Sequence, residues 1–517
     1  MHTVQLMVIL GYFLLIVSAG WFMKRYSRSS SEYLLAGQNM GLFMIVSYIV
    51  GEWLGGMSTV GTAEKAFLIG VFPIWYNFST AIGKYLFGIT VASVYRSHNV
   101  HTVGEMLETV YDKKTRVISS VSFVAAFVVM VYLQFQAIGS LASQMFGPVL
   151  RTVSNGIHTA TGISGAMVEP FGLAVIIAGV LVIFYVAEGG IKSIAVTNFI
   201  HIALMYGTIL MVFFMILSYF GGFNGLFTAL HGRFVQEGMS PAAATATVSS
   251  FKDPFSAGFG TVTAWLLAGI LTGFASQASL QPVFAAKDIP TAKKACTISA
   301  FFIAPLGIFV ATIGMAVRTG AFGMPENPKE TLPFLLMNES FLPPVLGGLA
   351  AAGILAAILS TVAPILFAIS TIIVKDFYLL LFRKTADDTQ IMRMAKIITI
   401  AVGVLSIPMA VIMRGSILDA AYVTYGIRGA GAVVVLAGIY IINKRSKRPL
   451  VTAFAARWAF IISTVGTLLF LLFKPFVVKM IGFDVDKVYI ALLLTIIPLI
   501  AFSFKRNEID ITAVERK

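Results

Sequence analysis

The chain has 517 residues, of which 58% are hydrophobic and 12% are charged, and its formal net charge is +14. Soluble domains carry about 25% charged residues, so the composition excludes a water-soluble protein of this length. The excess of Lys and Arg is expected in loops that contact anionic membrane lipid, and no nucleic-acid partner is needed to explain it.

Apolar stretches long enough to cross a bilayer recur along the whole chain. A helical span needs about 20 such residues, whereas the alternating strands of a β-barrel are about half as long. We therefore predict an all-α membrane protein with about thirteen transmembrane helices. The predicted spans are 5–23, 40–63, 71–95, 117–145, 171–187, 191–219, 257–284, 296–318, 344–374, 392–413, 420–442, 450–472 and 488–504.

Basic residues mark one side of the predicted topology. The first span has no basic segment before it, so we expect a retained helix and not a cleaved signal peptide. By alternation, the loops on one side contain Lys24, Arg25, Arg28, Lys113, Lys114, Arg116, Lys287, Lys293, Lys294, Arg383, Lys384 and the run KRSKR at 444–448. The positive-inside rule makes this side cytoplasmic, which predicts a plasma (inner) membrane protein with its N-terminus outside and its C-terminus in the cytoplasm.

The order of the spans predicts an internal repeat. After the first helix, the next ten spans divide into two sets of five, and the first helix of each set is interrupted, by GEWLGG at 51–56 and GILTGFASQ at 269–277. Paired interruptions are typical of a 5+5 inverted-repeat transporter whose broken core helices 1 and 6 meet near the bilayer midplane. The predicted units are an extra helix and cytoplasmic loop (1–39), a first repeat (40–219), an extracellular loop (220–256), a second repeat (257–443) and two C-terminal helices with a short tail (444–517).

The glycines of the first interruption have two interpretations. Backbone groups freed by unwinding cannot face lipid, so the broken segment is expected to line a cavity or to hold a ligand. Alternatively, the glycines only allow close helix packing. The matching interruption in the second repeat favours the first interpretation.

A second stretch, 353–370, carries oxygen atoms on one helix face. Ala357, Ser360 and Thr361 stand at positions i, i+3 and i+4, so they share that face. Their neutral oxygens suit a hard monovalent cation better than a transition metal. The alternative is that both hydroxyls simply bond the carbonyl of the preceding turn.

Several stretches resemble the sodium:solute symporter family over about 30–440. They are GEWLGGMSTVGTAEKAF (51–67), HTVGEML (101–107), YVAEGGIKSIAVTNFIH (185–201), SQASLQPVFAAKD (276–288) and ILSTVAPILFAISTIIVKDFY (358–378). The resemblance implies a LeuT-type fold and sodium-coupled symport of a small organic solute by alternating access. It implies one sodium ion, bound by the carbonyls of Gly51, Leu54 and Ala357 and by the hydroxyls of Ser360 and Thr361.

The sequence departs from the family where some members bind a second sodium ion. Thr197, Asn198 and His201 stand where those members have TDxxQ, and Ala363 and Pro364 replace two further hydroxyl residues. We therefore expect one sodium ion per cycle. The usual Gln-Arg after core helix 6 is also altered, to Gln281-Pro282.

Fold position predicts the residues around the solute. They are Trp53, Met57, Ser58, Gln134, Gln136, Phe274, Ser276, Gln277, Tyr422, Tyr425 and Arg428. GEWLGG resembles the choline branch, and Trp53 can stack on a cation. Choline is disfavoured, however, because Ser276 and Met130 occupy places where that branch has tryptophan. Packing against lipid or core remains an alternative role for Trp53.

Three charged residues lie inside predicted spans. Glu52, Lys84 and Arg428 would each cost about 2.5–3.5 kcal/mol if left unpaired at the midplane, so we expect them to be paired or near water. Arg428 can bind a substrate carboxylate; alternatively, Glu52 forms a structural pair with Arg428 or Lys84.

Two further functions remain open beside sodium symport. A proton-coupled symporter would use Glu52, and a transporter-like sensor would bind solute without net flux. We expect no enzyme, because no nucleophile stands with a base and an orienting partner. Cys296, the single cysteine, excludes an intramolecular disulfide, and no obligate protein partner is evident.

Overall fold

The computed structural model describes residues 3–24, 29–98, 100–188, 190–383, 385–413, 416–442, 449–482 and 485–514. Four groups of the basic residues used to predict the topology, Arg25, Arg28, Lys384 and the run 444–448, lie outside these ranges. The topology of the termini therefore stays a prediction.

The described residues fold into helices joined by short connections. In chain order the helices are α1 (Thr3–Lys24), α2 (Ser30–Leu35), α3 (Leu42–Trp53), α4 (Met57–Ile69), α5 (Ile74–Thr90), α6 (Ala92–Ser97), α7 (Val103–Val110), α8 (Lys113–Thr161), α9 (Pro170–Glu188), α10 (Ile191–Phe220), α11 (Phe223–Gln236), α12 (Pro241–Lys252), α13 (Phe259–Ala275), α14 (Gln277–Phe284), α15 (Ile289–Arg318), α16 (Thr331–Leu336), α17 (Pro344–Phe382), α18 (Asp388–Ile412), α19 (Ile417–Tyr440), α20 (Ala453–Ile481) and α21 (Lys487–Val514).

The predicted all-α membrane architecture is confirmed. A helix lies over each of the predicted spans. Within the described ranges, eight helical segments are long and apolar enough to cross a membrane, and the bent pair of α3 and α4 makes nine. The total of about thirteen spans is consistent with this architecture but stays a prediction.

The segment predicted as an extracellular loop, 220–256, is largely helical. Leu226, Leu230 and Phe234 are buried at four-residue spacing along α11, which gives that helix one apolar face. Ser240 caps α12 by accepting a hydrogen bond from Ala243 N, and Pro241 occupies the first turn, where its missing N–H costs nothing. Helix periodicity and capping residues were therefore readable in this segment although it is too polar to span a bilayer.

Helix α17 lies at the centre of the molecule. The most apolar part of α17 is 94% buried, against 39% for α10. It packs against α1, α3, α8, α10 and α18. Small residues make this close approach possible, since Gly353 has Thr208 of α10 directly against it. The helix that carries the predicted hydroxyl pair is thus enclosed by protein and not by lipid.

Both predicted interruptions are present. Helices α3 and α4 meet at a bend of 51° around Leu54–Gly56. Helix α13 ends at Ala275, and Ser276 adopts an extended backbone (φ −81°, ψ 99°) before α14 begins. These breaks free main-chain polar groups inside the protein, where other groups can satisfy them.

Candidate functional site

The first break touches the centre of α17. Thr361 Oγ1 donates to Gly51 O at 2.8 Å, and Ser360 Oγ donates to Gly51 O at 3.1 Å and to Ala357 O at 2.7 Å. Gly51 and Ser360 are 309 positions apart in the chain. Four of the five predicted sodium ligands therefore lie in one cluster.

Leu54, the fifth predicted ligand, ends helix α3. Its backbone (φ −95°, ψ 47°) leaves the helical region, and its N–H donates to Val50 O. The last four carbonyls of a helix have no partner in the helix itself, so the carbonyls of residues 51–54 are released at the break. This is the local reason why the Gly51 carbonyl can accept from Ser360 and Thr361; a ligand role for the Leu54 carbonyl stays a prediction.

The glycines of the break are also packing residues. A Cβ on Gly51 would lie 2.3 Å from Asn198 Nδ2, and one on Gly55 would lie 2.2 Å from Thr361 Oγ1. A Cβ on Gly56 would lie 2.5 Å from Ala137 Cβ. The two interpretations of these glycines are therefore compatible, because the broken segment can meet α10, α17 and α8 only if it lacks side chains.

Replacing Gly55 with alanine is expected to move Thr361 and to weaken sodium-stimulated uptake. Overpacking of this kind costs about 1–3 kcal/mol, on the order of 10- to 100-fold in affinity. The measurement is the sodium concentration for half-maximal uptake in proteoliposomes. Gly207→Ala is the control, because nothing lies within 4 Å of a Cβ there; equal sodium dependence in both variants would contradict the assigned contact.

Asn198 and His201 occupy the positions where the sequence departs from the two-sodium pattern. Asn198 Nδ2 donates to Ser360 O at 3.1 Å, and its Oδ1 is buried without a hydrogen bond. His201 Nδ1 instead lies 2.6 Å from Tyr12 Oη on α1. The cluster around Ser360 thus receives a neutral amide from α10 in place of a carboxylate.

Aromatic residues from α3, α5, α13 and α19 form a layer next to the break. The rings of Trp53 and Tyr425 meet edge-on at 5.9 Å, and Tyr425 stacks on Tyr76 at 5.6 Å. Tyr422 stacks on Trp265 at 4.0 Å. Trp53, Tyr422 and Tyr425 were predicted to lie near the solute, and the structure brings them together.

Arg428 of α19 points towards the break in core helix 6. Its Nη1 donates to Ser276 Oγ at 3.0 Å, and its Nη2 to Thr424 Oγ1 at 3.4 Å. The guanidinium carbon lies 4.7 Å from the centre of the Tyr425 ring and 6.0 Å from that of Trp53. Ser276 and Arg428, both predicted solute residues, are therefore in direct contact.

Met57, Ser58 and Phe274 border the two breaks. Met57 and Ser58 begin α4, and Ser58 Oγ donates to Gly55 O at 2.9 Å. Phe274 lies one residue before the end of α13 and packs edge-on against Phe87 at 5.9 Å. All three are at most 7% exposed, so they lie inside the protein.

The three predicted glutamines have different surroundings. Gln134 Oε1 accepts from Gly56 N at 2.7 Å and so supports the first break. Gln136 Nε2 donates to Ala410 O at 3.1 Å and to Met413 O, both at the end of α18. The structure therefore does not bring Gln136 to the other predicted solute residues.

Gln277 also has its amide committed to main-chain groups. Its Oε1 accepts from Val103 N at 2.8 Å, and its Nε2 donates to His101 O at 3.0 Å. This contact joins α14 to the start of α7. A solute role for Gln277 or Gln136 stays a prediction to which the geometry adds no support.

The structure adds Lys84 to the residues around the breaks. Lys84 of α5 was noted as a charge inside a span but was not predicted to contact solute. Its Nζ donates to Ser279 Oγ at 2.7 Å and to Gly273 O at 3.3 Å, and it lies 5.8 Å from the centre of the Trp53 ring. A charged residue in an apolar span was the available signal.

Sequence reasoning missed an ionic cluster at the end of α17. Asp376 is fully buried and accepts from Arg116 Nε and Thr102 Oγ1 at 2.8 Å and from Ser120 Oγ at 2.6 Å. Arg116 also pairs with Glu105 at 3.1 Å. The signal was the combination of HTVGEML and KDFY, two polar motifs that follow apolar spans.

Glu105, in the loop helix α7, is ionised at neutral pH. Burial raises the pKa of its carboxyl, but the hydrogen bonds and charge of His101 and the charge of Arg116 outweigh burial and bring it to about 2. The pairing with Arg116 therefore persists as the pH falls, until it approaches that value.

Comparisons with known proteins find similar membrane transporters. The osmoregulated proline transporter OpuE of Bacillus subtilis (strain 168) is 22% identical over 446 residues, which cover 85% of this chain and 84% of that protein. High affinity choline transporter 1 of Homo sapiens is 23% identical over 437 residues, covering 80% and 68%. The solved structure of a Na+-coupled sialic acid symporter matches 97% of this chain and 98% of its own with a TM-score of 0.75 at 20% identity.

The structural likeness extends to more distant transporters. MhsT in complex with L-phenylalanine matches 89% of this chain and 97% of its own with a TM-score of 0.52 at 15% identity. These likenesses show the fold and confirm the predicted LeuT-type architecture. A model of the sodium:solute symporter family matches residues 33–448. Because that match covers most of the chain, the protein belongs to the sodium:solute symporter family.

Proposed function

We propose that this protein is a secondary active transporter that moves one sodium ion per cycle together with a small organic solute by alternating access. The observation that carries the proposal is the contact of Gly51 O with Thr361 Oγ1 and Ser360 Oγ. It joins a broken helix of the first repeat to an unbroken helix of the second. Rocking of core helices 1, 2, 6 and 7 against the remaining helices would open or close a site at this junction.

The residues at the junction fit a sodium ion. The carbonyls of Gly51, Leu54 and Ala357 and the hydroxyls of Ser360 and Thr361 supply five neutral oxygens, which suit a hard cation. The hydroxyls now donate to carbonyls of the same group, so an ion would replace hydrogen bonds that already converge there. In this proposal sodium supplies the driving force for transport and takes no part in covalent chemistry.

The expectation of one ion per cycle rests on neutral side chains near that group. Asn198 offers an amide where a carboxylate would favour a second cation, and Ala363 and Pro364 offer no hydroxyl. Both alanine and proline here are buried in α17.

The proposed solute cavity lies between the breaks of core helices 1 and 6. We assign to it Trp53, Met57, Ser58, Gln134, Phe274, Ser276, Tyr422, Tyr425 and Arg428. These residues are all buried, as a site closed to both faces of the membrane requires. The proposed location is the plasma membrane, with the N-terminus outside and the C-terminus in the cytoplasm.

Uptake into proteoliposomes tests this function. Purified protein is reconstituted and offered a pool of labelled small metabolites, with an inward sodium gradient or with equal sodium on both sides. We expect uptake only with the gradient. Uptake that follows an imposed proton gradient and ignores sodium would favour coupling through Glu52, whereas solute binding without uptake under either gradient would favour a sensor; both results would contradict the proposal.

A further inference from the structure

Three charged side chains are buried beside the two breaks. Glu52 is 1% exposed, and Lys84 and Arg428 are 0% exposed. Two positive charges and one negative charge leave one positive charge in excess. A buried charge without compensation costs several kcal/mol, so this region is poised to receive a negative group.

The partners of the two cations do not neutralise them. Lys84 Nζ is held by Ser279 Oγ and Gly273 O, and Arg428 Nη1 by Ser276 Oγ. These partners are neutral, and they position the two cations on residues 273–279, the break of core helix 6. Hydroxyls and a carbonyl fix the direction of the cationic groups but leave their charge available to a ligand.

Both cations flank the same aromatic ring. Lys84 Nζ lies 5.8 Å, and Arg428 Cζ 6.0 Å, from the centre of the Trp53 ring. The indole Nε1 of Trp53 is buried and has no hydrogen-bond partner. A third donor, Gln134 Nε2, is also buried without a partner. Two cationic groups therefore lie within about 6 Å of the ring that carries one of these unpartnered donors.

Glu52 interacts with both cations but offsets only one of the two positive charges. Neither of its carboxylate oxygens has a hydrogen-bond partner among the described residues. The structural pair that the sequence suggested, in which Glu52 bonds Arg428 directly, is therefore not formed. Glu52 remains a buried acceptor whose charge acts on Lys84, Arg428 and the Ser276 hydroxyl without a direct ion pair to either cation.

We propose that Lys84 and Arg428 together bind a carboxylate of the transported solute, so that the substrate class is small organic carboxylates. This inference rests on the proposed function, because it assigns the solute of that same transport cycle. The guanidinium binds a carboxylate in a bidentate manner, the ammonium adds a second charge-assisted hydrogen bond, and the Trp53 Nε1 adds a neutral donor. The Glu52 carboxylate can accept an ammonium group of the solute, so an α-amino acid would place its ammonium there.

The charges carried per cycle distinguish the two kinds of carboxylate. One sodium ion with an amine-free monocarboxylate moves no net charge, so an imposed membrane potential should leave initial uptake unchanged. One sodium ion with an α-amino acid zwitterion moves one positive charge, so an inside-negative potential of 100 mV should raise the accumulation ratio about 50-fold.

Selective uptake from four defined pools tests the inference. Proteoliposomes with an inward sodium gradient are offered amine-free monocarboxylates, α-amino acids, neutral sugars with polyols, or quaternary ammonium compounds. We expect sodium-stimulated uptake from a carboxylate pool only, and a potassium diffusion potential then identifies which carboxylate is carried. Sodium-stimulated uptake confined to the sugars or the quaternary amines would overturn the inference and leave sodium symport standing. No sodium stimulation in any pool would overturn both.

Two variants test the residues themselves. Arg428→Gln and Lys84→Gln should each raise the KM for the carboxylate at least tenfold while the sodium dependence of uptake stays as in the wild type. Lys252→Gln, which alters a lysine stacked on Phe227 away from the breaks, is the control and should leave KM unchanged. A KM within twofold of wild type in Arg428→Gln would overturn the assignment.

Competition by neutral derivatives separates recognition of the carboxylate from a structural role of Arg428. Its first measurement needs only the wild type. The unlabelled free acid should compete with uptake at least tenfold better than its amide or methyl ester. In the Arg428→Gln protein this preference for the acid should shrink. A purely structural role of Arg428 predicts instead that acid and amide lose competing strength equally, so that the preference stays. Equal competition by acid and amide in the wild type would overturn the inference even if the variants fail to fold.

Discussion

Replacing Ser360 and Thr361 together with alanine is expected to abolish sodium-stimulated solute uptake while leaving the protein folded. The change removes two of the five proposed ligand oxygens. Each interaction of a hydroxyl with a charged group contributes about 1.5–3 kcal/mol, so the loss of both should weaken sodium binding on the order of 100-fold or more. Alanine preserves the helix, because it has the highest helix propensity.

A second hydroxyl pair provides the matched control. Thr399 and Ser406 of α18 are buried, and they donate to Ala395 O at 2.9 Å and to Val402 O at 2.8 Å in the preceding turns. The Thr399→Ala, Ser406→Ala protein should keep its sodium dependence. If the Ser360, Thr361 variant also keeps sodium-driven uptake, these hydroxyls only bond the preceding turn and the proposed ligand set is wrong.

Asp376→Ala is expected to lower the thermal stability of the protein by more than any surface substitution. The carboxylate is fully buried and accepts three hydrogen bonds, one of them from Arg116. Removing one partner of a buried ion pair costs about 3–5 kcal/mol, because the other charge loses its compensation. Arg116 keeps its pairs with Glu105 at 3.1 Å and Glu108 at 2.6 Å, which reduces this cost, but the hydroxyls of Thr102 and Ser120 lose their acceptor.

Thermal unfolding in detergent, followed by size-exclusion chromatography, measures the effect of Asp376→Ala. Glu237→Ala serves for comparison, since that carboxylate is about a quarter exposed and pairs with Arg233 and Arg318. Pairs near the surface contribute about 0–1 kcal/mol. Similar midpoints for the two variants would show that the Asp376 cluster contributes little to the fold.

The loop segment at 101–103 links the Asp376 end of α17 to the break of core helix 6. Thr102 of that loop donates to Asp376 at the end of α17, while Val103 donates to Gln277 of α14. One loop therefore contacts both the helix that carries the proposed sodium ligands and the broken helix that carries Ser276. A shift of either helix must alter contacts of this loop, which gives the HTVGEML motif a structural reason.

Much of the contact at the proposed sodium site could be predicted from the sequence, because the residues that form it are marked by backbone requirements. Three glycines and a glutamate in an apolar span indicate a break, and a Ser-Thr pair on a helix that is otherwise apolar indicates a polar contact. Residue spacing alone did not show that the break and the Ser-Thr pair contact each other. The junction across 309 positions came from family resemblance and from the observed fold.

The residues proposed to surround the solute were harder to predict, because knowing that a residue lies on a given helix does not show which way its side chain points. Gln134 and Gln136 are two residues apart on α8, so their side chains point about 200° apart and cannot both face one cavity. The structure places Gln134 at Gly56 and Gln136 at α18. The sequence already showed that Gln134 and Gln136 cannot both face the cavity. Which of the two faces it depends on how α8 is rotated against its neighbours, and only the structure shows that.

Equilibrium binding of radioactive sodium to the purified protein tests the central claim most directly. Sodium is titrated onto the wild type and the Ser360→Ala, Thr361→Ala variant, and bound ions are counted per chain. The account predicts one saturable sodium ion per chain in the wild type and none in the variant over the same concentration range. Equal binding by both proteins, or two ions per wild-type chain, would contradict it.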